Sequence, residues 1–139
     1  MANRKHPPTP CENCPYRMDA PRRHWDRAEF EGVLRHEADI EAGVGFGAVY
    51  SCHKHGVLPE AERGMCAGWL LDQRKRGLPS IALRLALISE RGAGEALEAV
   101  SDGGHPMFRT VKAMCRANGV RPKPGAALPA YLRARRRAR

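Results

Sequence analysis

Apolar positions recur at three- and four-residue steps along several stretches of the chain, a period that predicts helices. The first helix covers residues 25–42, with Phe30, Val33, Leu34, Glu37 and Ile40 along one face and Gly43 and Gly45 stopping it. A second starts at Met65 or Cys66 and runs to Arg76, with Gly77 as its C-terminal cap. Pro79 opens a third in the favoured first-turn position. That helix carries Ile81, Leu85 and Ile88 on one face, Leu83 and Leu87 broaden it, and Gly92 ends it. A short helix over 95–100 and a last one over 106–118, capped by Gly119, follow. Residues 46–51 alternate enough to predict a short β element that delivers Cys52, although their glycines weaken it. The segments 1–10, 18–23 and 53–64 are rich in Pro, Gly, His and charge and read as loops.

Composition narrows this picture. At 139 residues the chain is one domain, and with aromatics at only 6% its core must come mainly from Leu, Ile, Val and Ala. No apolar run reaches the roughly 20 residues that span a bilayer, and no apolar segment follows the basic first residues as a secretory signal requires. The expectation is a cytoplasmic protein with no membrane partner. The formal net charge of +9 is uneven: residues 121–139 carry seven basic residues and no acid, and residues 1–24 carry five basic and two acidic. The middle is therefore close to neutral. Two regions follow, a domain over 1–120 and a basic, flexible tail over 121–139, whose Lys123, Arg133, Arg135, Arg136, Arg137 and Arg139 are the expected contacts to DNA or RNA phosphates.

The cysteines carry the chemistry. Five thiols in a reducing compartment argue against a disulfide framework, and an odd count leaves one over. Cys11 and Cys14 form a C-x-x-C pair, whose spacing lets one turn of backbone aim both sulfurs at one point, as zinc and iron–sulfur sites require. No strand precedes the pair, which disfavours a thioredoxin-type redox motif. Cys52, His53 and His55 offer three further ligands within four residues, and Cys66 stands where a helix N-terminus favours its thiolate. The expected set is Cys11, Cys14, Cys52 and Cys66, with His53 or His55 as the alternates. Cys115 falls with Met107, Val111 and Met114 on a core-facing stripe and is expected to be a buried structural thiol. Zn2+ is the expected metal, because imidazoles adjoin the cysteines and no compact ferredoxin-like run is present; a [4Fe–4S] cluster is the alternative.

The stretches Cys11-Glu12-Asn13-Cys14-Pro15-Tyr16-Arg17, Cys52-His53 and Cys66-Ala67-Gly68-Trp69 resemble an uncharacterised bacterial and phage family, over about residues 9–120. In that family Cys-x-x-Cys-Pro-[Trp/Tyr]-Arg, Cys-His and Cys-Ala-Gly-[Trp/Phe] recur in this order. The resemblance supports a site at Cys11, Cys14, Cys52, His53 and Cys66 and supplies no activity. No nucleophile elbow, P-loop or H-E-x-x-H occurs, and the deaminase signature fails because its H-x-E is missing. The expected fold class is mainly α with a short β element, a small metal-stabilised domain that is not an enzyme. Its expected function is a zinc-binding, nucleic-acid-binding or regulatory module. The alternatives are an iron–sulfur redox or sensor protein and a protein-interaction adaptor.

Overall fold

A computed structural model describes residues 5–43 and 45–122. Among them five α-helices follow in chain order: α1 Arg27–Glu41, α2 Ala67–Lys75, α3 Ile81–Ser89, α4 Ala93–Ala99 and α5 Val111–Ala117. Two single 3-10 turns, His53–His55 and Glu60–Glu62, lie in the long connection between α1 and α2. The protein is thus mainly helical, and among the described residues no helix is long and apolar enough to cross a membrane.

Each helix starts for a local reason. Asp26 precedes α1, and its amide donates to the Glu29 carboxylate at 3.1 Å, half of a capping box that fills an orphan position of the first turn. Ser80 and Thr110 cap α3 and α5, accepting from the amides of Leu83 and Ala113. Gly77 and Gly119 take φ of +77° and +80° just past the ends of α2 and α5, as glycine caps do. The predicted start of the third helix at Pro79 therefore moves to Ser80, and the predicted start of the last moves from Pro106 to Thr110. Met107 lies before α5 and pairs with Arg17 instead.

The core gathers Phe30, Val33 and Leu34 from α1, Trp69 and Leu70 from α2, Leu83 and Ala86 from α3, and Val111, Met114 and Cys115 from α5. α1 packs on α5, while α4 packs on both α2 and α3. On α3 the structure corrects the expected face: Leu83 and Ala86 are buried, and Ile81, Leu85 and Ile88 lie exposed. This helix is apolar on nearly every side, so its periodicity cannot choose a face, and packing against α4 does. The β expectation over 46–51 also changes. Among the described residues there is no sheet, only two isolated antiparallel bridges, Arg17 with Met107 and Ser51 with Met65. Gly47 at φ +74° interrupts the extended run before Ser51, so no ladder can build.

Candidate metal centre

Those two bridges position the cysteines. Around Ser51–Met65, the Cys52 amide donates to the Gly64 carbonyl at 2.7 Å and the Cys66 amide to the Tyr50 carbonyl at 2.8 Å. Antiparallel pairing of that register puts residues 52 and 66 on the same face, offset along the diagonal. Cys66 is also the cap residue of α2, so its sulfur sits at the positive end of that helix. The second bridge holds the N-terminal segment: Met18 donates to the Pro106 carbonyl and Phe108 to the Tyr16 carbonyl, at 2.7 and 2.9 Å. Between Cys11 and Cys14 a turn closes through Cys14 N–H to Cys11 carbonyl at 3.0 Å, followed by Arg17 N–H to Cys14 carbonyl at 3.0 Å. The spacing read from sequence is realised as consecutive turns.

Cys11, Cys14, Cys52 and Cys66 line one pocket of about 180 Å³, together with Pro7, Thr9, Asn13, Pro15, His24, Trp25, His53, Lys54 and Ala67. All four cysteines are unbridged, and Cys14, Cys52 and Cys66 are buried. The thiols act on one another. Cys66 donates to the Cys14 sulfur, which holds the Cys14 thiol below its ordinary range and pushes Cys66 well above it. Backbone N–H groups of Tyr16, Gly68 and Arg17 further favour the Cys14 thiolate. Burial raises Cys11, with the neighbouring Cys14 and Cys52 adding to it and Lys54 opposing. Among the described residues no three His, Cys, Asp or Glu side chains are gathered so as to hold a metal ion. The four sulfurs therefore share a pocket without converging on one point.

The imidazoles divide. His53 lines the pocket, stacked on Trp25 with ring centroids 4.2 Å apart, and its Nε2 meets Glu29 Oε1 at 2.7 Å. Glu29 thus serves two ends, closing the first turn of α1 and orienting the histidine. His55 stands apart from the pocket lining, and its Nδ1 accepts the Gly64 amide at 3.0 Å. Cys115 is fully buried in the core, against the Phe30 carbonyl, and burial pushes its thiol up to about 12. Lys123, Arg133, Arg135, Arg136, Arg137 and Arg139 lie outside the described residues.

Three features of the site were not read from sequence. His24 and Thr9 line the pocket from segments with no periodicity to place them. Gly68 is the third: a Cβ there would meet Cys14 Sγ at 2.5 Å and Tyr16 Cβ at 2.7 Å, so only glycine lets α2 approach the sulfur. Gly68 lay within the Cys-Ala-Gly-Trp stretch, and a glycine inside an otherwise helical run was the available signal.

The chain matches a family of unknown function (DUF6283) over residues 6–136, and it belongs to that family. The match runs further in both directions than the resemblance placed at about 9–120, so it takes in most of the basic C-terminal stretch. No curated protein and no solved structure matches the chain.

Proposed function

We propose that this protein is a small, non-catalytic metal-centre module in which Cys11, Cys14, Cys52 and Cys66 are the ligands. The observation that carries this reading is the meeting of four cysteines, from three separate segments of the chain, around a single pocket. Burying several thiols beside one another costs free energy unless they are used, and the N–H groups aimed at Cys14 favour the thiolate that a metal needs. Arg17 and Lys54 lie close enough to oppose the charge that four thiolates would bring. The centre would tie the N-terminal segment to the connection before α2, supplementing a small core.

His53 reads best as a wall of this centre rather than a ligand, because Trp25 and Glu29 already engage its ring. The role we attach to the module is regulatory, with nucleic acid contacted by the basic residues after position 120. The metal-centre reading is tested by substitution: Cys11→Ser, Cys14→Ser, Cys52→Ser and Cys66→Ser should each lose bound metal and lower the melting temperature. Cys115→Ser should keep its full metal content. Full metal content in all four of the first set overturns the reading.

A further inference from the structure

We propose that the pocket between Cys11, Cys14, Cys52 and Cys66 accommodates a [4Fe–4S] cluster rather than a single Zn2+ ion. This rests on the four-cysteine reading above and decides what those cysteines hold. Zinc bound by four thiolates has Zn–S distances of about 2.3 Å, which sets the sulfurs roughly 3.8 Å apart around a filled centre. Such a site leaves no room between its ligands. Here about 180 Å³ lies among the cysteines, and no three potential ligands are gathered about a common point among the described residues. A four-iron cluster makes the opposite demand: each sulfur binds its own iron at a separate corner, so the ligands must stand apart around a volume.

The surroundings agree with that demand. Cluster potentials and stability depend on N–H groups directed at the cysteine sulfurs. Cys14 faces the amides of Tyr16, Gly68 and Arg17, Cys66 that of Trp69, and Cys11 that of Asn13. The imidazoles that would complete a mixed zinc site are engaged elsewhere, His55 with the Gly64 amide and His53 between Trp25 and Glu29. Trp25, Pro15 and Ala67 add an apolar wall that limits access of water.

The test uses the full chain, expressed with added iron and cysteine and purified under nitrogen. The expected result is about four iron and four acid-labile sulfide per chain, with a broad absorption near ~400 nm that bleaches in air. Iron should fall at least tenfold in each of the four cysteine variants and stay unchanged in Cys115→Ser. The Mössbauer spectrum of the unsubstituted protein reads the cluster type directly, so the outcome does not depend on whether a variant folds. One zinc per chain without sulfide, lost in the same four variants, overturns the cluster and leaves the four-cysteine reading standing. A two-iron spectrum likewise overturns the four-iron assignment. Neither iron nor zinc in the folded chain overturns both.

Discussion

Gly68 sits where two requirements oppose each other. Within α2 an alanine is favoured over glycine by roughly 1 kcal/mol, because it loses less backbone entropy. At this position the added methyl would stand 2.5 Å from Cys14 Sγ and 2.7 Å from Tyr16 Cβ, and neither neighbour is the loose end of a long side chain. Overpacking of a buried contact costs about 1–3 kcal/mol, so the clash outweighs the helix gain. Gly68→Ala should therefore lower the melting temperature and reduce metal content, while Gly94→Ala, whose added Cβ meets nothing within 4 Å, should not. A second residue-scale prediction concerns Asp19. The Arg17 guanidinium, donating at 2.8 and 2.9 Å, holds its carboxyl down at about 2, with His105 adding to it. A depressed carboxyl contributes stability that is present above its unfolded value near 3.8 and lost as pH falls through about 2. An NMR titration should find the Asp19 midpoint near about 2, and Arg17→Ala should return it toward 3.8. The cysteines were legible from sequence because their chemistry is carried by residue type and spacing. Gly68 was not, because its necessity comes from a sulfur 54 positions away in the chain.

Helices were legible where one face is apolar and the other is not. α1 buries Phe30, Val33 and Leu34 as its period requires, and Glu37 turns to Arg76 of the segment after α2, at 2.8 Å. α5 buries Val111, Met114 and Cys115 on the stripe read from sequence. α3 defeats the same method, since apolar residues surround it and only its neighbours decide which are covered. The short β element was illegible for another reason: two residues pairing across a bridge leave no alternation to detect. Cys115 gives the element-scale prediction. Its side chain is fully buried on α5, and desolvation, with Glu37 nearby, pushes its thiol up to about 12. Thiolate is the reactive species, so native protein treated with iodoacetamide at neutral pH should leave Cys115 unmodified. Mass spectrometry after unfolding in the reagent should find it labelled. Rapid labelling in the native state would show that α5 opens from α1 far more readily than its packing implies.

At the scale of the whole molecule the argument turns on charge. The stretch 121–139 holds seven basic residues and no acid, while the chain as a whole carries +9. The helices and the four candidate ligands all precede residue 118, and the family match continues to residue 136. If Arg133, Arg135, Arg136, Arg137 and Arg139 contact phosphates, binding to duplex DNA should weaken with salt by a log–log slope of about −0.9 for each phosphate neutralised. For a single strand the slope should be about −0.7. Deleting residues 130–139 should then weaken binding for every sequence alike and flatten that slope, since phosphate contacts position a protein without reading bases. Metal content should be unchanged, because no cysteine is removed. Fluorescence anisotropy with labelled duplex and single strands, across a salt series, measures both slopes. An intact, metal-loaded protein that binds neither DNA nor RNA at low salt would sink the nucleic-acid role and leave a protein partner as the reading for the basic end. A deletion that also lowers the melting temperature would show that Tyr131 and Leu132 pack on the helical body. The family's extension to residue 136 would then reflect a structural element rather than a phosphate-binding one.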